Sequence, residues 1–345
     1  MQTLAKTRGL EYTDEVAKST APAYGKLSRQ YREDHWKTLA PYIHEINRLK
    51  REKNAVILAH NYMTPDIFFG VGDIIGDSLR LAQEAAKSDA AIIVQCGVHF
   101  MAETSKILCP EKKVLIPDAM AGCSLAESIT GEDVRKLKAQ YPGVPVVSYV
   151  NTSAEVKAES DVCCTSSNAL TIVEALGREG HETVIMTPDK FLARNTQNQL
   201  AAKGSPIKII IWDGKCIVHE RFSAEEVRGM RKQHPDAVIL AHPECPPEVM
   251  AEADYAGSTA QMDTYIKTHK PAQVILLTEC SMSDNVSNSN PGIEMFGTCR
   301  MCPYMKMMTL PKILKCLETE SPEVTLDPAL GRQARKAVDR MLELS

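Results

Sequence analysis

The sequence predicts an α/β protein of three similar units with parallel sheets, and three observations carry that prediction. The six residues AVILAH at 55–60 return at 237–242, and midway between them 144–151 reads VPVVSYVN, a further apolar run that ends in polar groups. In each copy a strand leads into a helix-like run, a small polar turn, a longer helix-like run and a second strand, the alternation that builds parallel sheets. Each copy then closes on a cysteine, so the period is about 90 residues, the length of one α/β unit.

The elements follow in order. Residues 1–53 are charged and peripheral, with helical spacing of apolar positions over 42–49. The first copy has a buried strand over 55–59 ending at His60, the turn GDS at 76–78, a helix from LRLAQEAAK and a strand from AAIIVQCG. The second has its strand over 144–151, a short helix over 154–158, the turn TSSN at 165–168, the helix ALTIVEALG and the strand ETVIMTPD. The third has AVILAH, a short helix over 247–251, the turn GST at 257–259, the helix AQMDTYIKTH and the strand AQVILLTE. Half the spacing between His60 and His242 points to Asn151 as the matching position of the middle copy. Cys123 lies 63 residues after His60, Cys216 65 after Asn151 and Cys302 60 after His242, whereas Cys299, at 57, fits less well. The runs PKILKCLETE and ALGRQARKAVDRMLELS read as helices beyond the third copy. The expected organisation is an N-terminal helical segment (1–53), units at 54–128, 129–220 and 221–308, and C-terminal helices (309–345) packing on the core.

Composition narrows the function. With 345 residues, 44% hydrophobic and 24% charged, the chain has globular composition. Forty basic against 44 acidic residues leave a net charge of −4, which gives no general basic field for nucleic acid. Strictly apolar stretches are about five residues long, against roughly 20 for a membrane span. The N-terminus carries no apolar secretory core, so a cytoplasmic protein is expected. Eleven cysteines, an odd count in a reducing compartment, argue against a disulfide framework.

Open parallel sheets bind ligands outside the carboxyl ends of their strands, where His60, Tyr149 with Asn151, and His242 stand. Packing about a pseudo-threefold axis would bring these ends and the three cysteines together. Three thiolates fall short of a closed structural zinc site, which takes four ligands. They suit an iron–sulfur cluster with one iron left open. The zinc alternative would add a histidine such as His219 to Cys123, Cys216 and Cys302.

The chain resembles the quinolinate synthase family. The matching motifs are AHNYM (59–63), GDS (76–78), GVHFMAETSKIL (97–108), AGCSLAES (121–128), SYVNTSAEVKA (148–158), CCTSSNA (163–169), GKCIVHERF (214–222), AHPEC (241–245), GSTAQM (257–262) and TCRMCPYMKM (298–307). They span about residues 55–308 and are specific together. The resemblance implies three three-layer αβα units around a central [4Fe-4S] cluster on three cysteines. It implies condensation of iminoaspartate with dihydroxyacetone phosphate to quinolinate, phosphate and water, with the open iron as a Lewis acid in dehydration. It further implies functional coupling to an aspartate oxidase or dehydrogenase that makes the imine. A non-catalytic iron–sulfur sensor on the same fold is the alternative.

The resemblance assigns the cluster to Cys123, Cys216 and Cys302. Substrate contacts fall on His60, Ser78, Tyr149, Asn151, Ser166, His242, Glu244 and Thr259, and proton transfer on Tyr62 and Glu244. Ser78, Ser166 and Thr259 sit at expected helix starts, where a hydroxyl caps the helix or meets a bound anion. Cys299 and Cys302 form a CxxC, read either as a spare thiol or as a redox pair that would withdraw a ligand. Cys96, Cys109, Cys163, Cys164, Cys245, Cys280 and Cys316 have no equivalents across the copies and are assigned to packing.

Overall fold

The computed structural model describes residues 9–297 and 299–345. Three four-stranded parallel sheets form its frame. The first contains β1 (Ala55–His60), β2 (Ile74–Gly76), β3 (Ile92–Cys96) and β4 (Lys113–Leu115), in the order β2-β1-β3-β4. The second contains β5 (Val146–Tyr149), β6 (Val162–Cys164), β7 (Thr183–Thr187) and β8 (Lys208–Ile211), in the order β6-β5-β7-β8. The third contains β9 (Val238–Ala241), β10 (Tyr255–Ala256), β11 (Gln273–Leu277) and β12 (Glu294–Phe296), in the order β10-β9-β11-β12. Helices flank each sheet, as three αβα units require. The order reverses between the first and third strands of each unit, and the crevice at such a switch point is where open sheets take ligands.

The repeat extends to single side chains. Asp73, Asp161 and Asp254 each accept a 2.8 Å hydrogen bond from the backbone N–H of Ile57, Val146 and Ile239 respectively. Each also pairs with a cation: Lys50 at 2.7 Å, Lys138 at 3.2 Å and Arg231 at 3.0 Å. This clamp holds the first strand of each unit at an equivalent residue, and three residues onward stand His60, Tyr149 and His242. Strand pairing gives the same register, His60 opposite Gly76 and Tyr149 opposite Cys164. Tyr149, not Asn151, is therefore the counterpart of the two histidines. Halving the spacing misplaced the middle copy by two residues because the copies differ in length.

Neighbouring units hold one another in a ring. The Glu103 carboxylate of the first unit accepts from the Ala154 N–H of the second at 3.0 Å. Asn195 of the second donates to the Pro243 and Cys245 carbonyls of the third at 2.8 Å. Asn285 of the third donates to the Asn61 and Met63 carbonyls of the first at 3.1 and 2.8 Å. All of these tie the loop after a first strand, which carries site residues, to a helix of the preceding unit.

Outside the ring, the helix Glu33–Glu52 buries Trp36, Leu39, Ile43, Ile46 and Leu49, an apolar stripe at helical spacing. That face packs on β1 and on the helix Leu310–Thr319. The C-terminal helix Pro328–Glu343 covers β6 and the helix Ala154–Glu159. Among the described residues no helix is long and apolar enough to cross a membrane.

Candidate active site

One pocket at the centre of the ring collects the residues that sequence reasoning singled out: His60, Tyr62, Ser78, Tyr149, Asn151, Ser166, His242, Glu244, Thr259, Cys123, Cys216 and Cys302. In the corrected register these are four sets of three. His60 and Tyr149 end the first strands of their units, and His242 directly follows its own. Tyr62, Asn151 and Glu244 stand two residues later. Ser78, Ser166 and Thr259 follow the second strands, and the cysteines close the units.

Each cysteine sits in the same local cradle. The 3₁₀ turns Ala126–Ser128, His219–Arg221 and Met305–Met307 begin three residues after Cys123, Cys216 and Cys302. The carbonyl of each cysteine accepts from the N–H four residues on, at 2.9, 3.0 and 3.2 Å. The N–H groups two and three residues on point back at the sulfur: Leu125 and Ala126, Val218 and His219, Tyr304 and Met305. Burial pushes all three thiols up, Cys123 to about 12, and these donors oppose it. Paired amides aimed at a sulfur favour the thiolate that a metal needs. Three free thiols in one pocket, each with such amides, fit a three-cysteine [4Fe-4S] cluster. Gly214, two residues before Cys216, is required by close approach, since a Cβ there would lie 2.4 Å from the Pro188 carbonyl oxygen.

The two histidines are presented alike. The Tyr62 N–H donates to His60 Nδ1 at 3.1 Å, and the Glu244 N–H to His242 Nδ1 at 3.3 Å. Nδ1 is thus an acceptor in both rings, which leaves the proton on Nε2. Burial lowers His60 to about 4 and His242 to about 3, so both are neutral donors at pH 7. Asn151 Oδ1 is buried with no hydrogen-bond partner, an acceptor free for a bound molecule.

A chain of hydrogen bonds joins the remaining groups. The Tyr62 hydroxyl lies 2.6 Å from Thr278 Oγ1, which lies 3.0 Å from His219 Nε2. His219 Nδ1 is 2.7 Å from Glu244 Oε2, and the Tyr149 hydroxyl donates to Glu244 Oε1 at 2.6 Å. Burial drives the Tyr62 and Tyr149 phenols well above their ordinary range, and the Glu244 charge adds to it. Burial alone would raise Glu244, which is 3% exposed, but His219, His242 and the Tyr149 hydroxyl hold its carboxyl well below the usual range. The pocket therefore sets protonated phenols beside an ionised carboxylate.

His219 and Thr278 are the members of this chain that sequence reasoning did not give a catalytic part. His219 stands where the other copies have Ala126 and Met305, and this departure from the repeat was its signal. Thr278 follows β11 as Gly97 and Pro188 follow their strands, and nothing marked it. Cys216, His219 and Glu244 also place one ligand atom each within 4.8 Å of one another, a set able to hold a divalent ion. It differs from the zinc alternative, which used three cysteines and His219.

Two expectations are corrected. Ser78 and Thr259 do not cap their helices, because Asp77 and Ser258, one residue earlier, accept from the Arg80 and Gln261 N–H groups. Their hydroxyls are left for the pocket, and Thr259 Oγ1 also accepts from Asn61 Nδ2 at 2.8 Å. Ser166 lies two residues before the cap position Asn168. Cys299 is bonded to Cys280, with Cα atoms 4.8 Å apart, and not to Cys302. Cys280 is the first residue of the helix after β11, so the fold sets it beside the loop of Cys299 and Cys302, which remains a free thiol.

Comparison with known proteins gives the family. The profile of the family described as quinolinate synthetase A protein matches residues 44–343. A quinolinate synthase of Caulobacter vibrioides is 58% identical over 334 residues, 96% of this chain and 90% of that protein. One of Sinorhizobium medicae is 54% identical over 335 residues, covering 97% and 91%. One of Xylella fastidiosa is 57% identical over 302 residues, covering 88% and 87%.

Proposed function

Because the chain belongs to the quinolinate synthetase A protein family, we propose that it condenses iminoaspartate with dihydroxyacetone phosphate to quinolinate, releasing phosphate and water. The observation that carries the reading is the convergence of three repeat-equivalent cysteine cradles on a pocket that is also lined by histidine, tyrosine, hydroxyl and carboxylate side chains. Cys123, Cys216 and Cys302 would hold a [4Fe-4S] cluster. With three protein ligands, such a cluster keeps one iron open and supplies a Lewis acid for dehydration.

The protein's own groups account for the rest. The Nε2–H groups of His60 and His242 are donors for carboxylate or carbonyl oxygen, and Asn151 accepts from an amine or hydroxyl. The hydroxyls of Ser78 and Thr259, each on the first residue of a helix, donate to an anion where the helix dipole favours it. Loss of water requires a proton for the departing hydroxyl, and the Tyr62 phenol is kept protonated to give it. Thr278 and His219 link that phenol to Glu244, the base that takes the proton the substrate carbon loses in the same dehydration and returns it to Tyr62 along this chain. Glu244 also orients Tyr149. In a closed pocket these groups deliver protons in place of bulk water, which would hydrolyse the imine.

The test is anaerobic. The protein is supplied with iron and sulfide, its iron and sulfide content and visible spectrum are measured, and it is given iminoaspartate formed in situ with dihydroxyacetone phosphate. About four irons per chain and steady formation of quinolinate support the reading. A loaded cluster without turnover would indicate the sensor alternative. Zinc in place of iron would direct attention to Cys216, His219 and Glu244.

A further inference from the structure

We propose that Asp189 and Glu279 are positioning residues that hold the loops of Cys216 and Cys302 in cluster-binding geometry, a support that Cys123 lacks because Val98 occupies the equivalent position. The inference rests on the proposed cluster site and assigns a part to residues the proposed chemistry does not use.

The argument begins with another threefold contact. In each unit the helix after the third strand starts with an N–H that donates to the carbonyl two residues before the cluster cysteine. His99 donates to Ala121 at 2.7 Å, Lys190 to Gly214 at 2.8 Å and Cys280 to Arg300 at 3.3 Å. The residue just before each of these is the cap, and it lies beneath the cysteine loop. These caps are Val98, Asp189 and Glu279, exposed by 2%, 2% and 0%.

The two carboxylates do more than cap. Glu279 Oε2 accepts from the Ser281 N–H at 2.8 Å, the capping bond, while Oε1 accepts from the Cys302 N–H at 3.3 Å and from Lys306 Nζ at 2.7 Å. Asp189 Oδ1 accepts from the Leu192 N–H at 2.6 Å. The Phe191 and Cys216 N–H groups also act on this carboxylate, although Oδ2 completes no hydrogen bond of full geometry. A serine would cap either helix with one oxygen. Burying a carboxylate is costly, and leaving one of its oxygens short of a partner costs more. In the third unit the second oxygen meets Lys306 and the Cys302 N–H, and in the second unit the carboxyl group lies against the Cys216 N–H, so both carboxyl groups reach the amide of a cluster cysteine. In the first unit Val98 has no polar atom to offer, so Cys123 relies on the cradle amides and the His99–Ala121 contact.

Fixing the backbone of a ligand fixes the direction of its sulfur, as outer-shell partners do in other metal sites. The test measures iron release to a chelator from cluster-loaded wild type, Asp189→Ala, Asp189→Asn, Glu279→Ala and Glu279→Gln. The electron paramagnetic resonance spectrum of the reduced cluster and the melting of the cluster-free proteins are recorded alongside. The alanine variants are expected to release iron roughly tenfold to a hundredfold faster with altered spectra. The Asn and Gln variants keep an accepting oxygen and should fall between alanine and wild type. Cluster-free melting should change far less than iron release, because the helices remain capped in the Asn and Gln forms. If an alanine variant does not fold, its amide counterpart decides: release at three times the wild-type rate or faster supports the inference, and anything slower overturns it. Wild-type release rates and spectra in all variants overturn the inference alone. A wild-type protein that takes up no cluster overturns the proposed function, and the inference falls with it.

Discussion

Replacing Tyr62 by Phe removes one oxygen from a side chain that is 9% exposed and leaves its ring in place. The lost contact is the 2.6 Å hydrogen bond to Thr278 Oγ1, and Thr278 keeps His219 Nε2 at 3.0 Å. The variant therefore leaves no buried polar atom stranded, and its stability cost should be about 1 kcal/mol. Against a typical total of roughly 5–15 kcal/mol that is affordable, so fold and iron content should match wild type. Turnover should not. A positioned acid typically contributes about 10²–10⁴ in rate, or roughly 3–5 kcal/mol of barrier. Anaerobic steady-state kinetics should show kcat reduced on that scale with KM little changed. Thr278→Val strands both the Tyr62 hydroxyl and His219 Nε2, so it should be slow as well. If the groups act as one chain, the double variant should be no slower than the slower single variant. Turnover of Tyr62→Phe within threefold of wild type would remove the phenol from the mechanism, and additive losses in the double variant would break the chain into independent parts.

Cys123→Ala, Cys216→Ala and Cys302→Ala should each fail to assemble the cluster, while Cys280→Ala should keep it; iron and sulfide analysis distinguishes them. Glu244→Gln puts an amide nitrogen against a donor, Tyr149 or His219, and should cost about 100-fold or more in kcat, measured at matched iron content. His60 has a folded pKa of about 4 against an ordinary 6.5, so its contribution to stability is complete above pH 6.5 and lost as pH falls towards 4, when the unfolded chain takes a proton that the fold refuses. The loss should total ~3 kcal/mol, and His60→Asn should flatten the pH dependence of the cluster-free protein's urea midpoint by about one proton.

The residues that the sequence exposed and those it hid differ for a physical reason. Strand ends, polar turns and loop cysteines recur in each unit because all three sheets must present the same kind of edge to the axis. Repetition made His60, Ser78, Cys123 and their counterparts visible. Register inside the middle unit was hidden because it is set by Asp161 gripping the Val146 N–H across a loop, and no spacing rule reports such a grip. The capping by Asp77 and Ser258 was missed because a helix start preceded by two polar residues does not say which one turns inward. The Thr278–His219 contact joins residues that meet only when the third unit closes against the second, and the Cys280–Cys299 bond forms inside the third unit, where the helix after β11 meets the cysteine loop 19 residues on. What repeats is the frame, and what departs from the repeat is the chemistry. The positions two residues beyond the strand ends hold a phenol, an amide and a carboxylate in Tyr62, Asn151 and Glu244, and the turn after the cysteine holds Ala126, His219 and Met305. A symmetric pocket would offer a substrate three equal walls and no direction for a proton. The one histidine of the cysteine turns stands on the second unit, between Thr278 and Glu244 of the third, and in the proposed mechanism it is the link through which a proton taken by Glu244 returns to Tyr62.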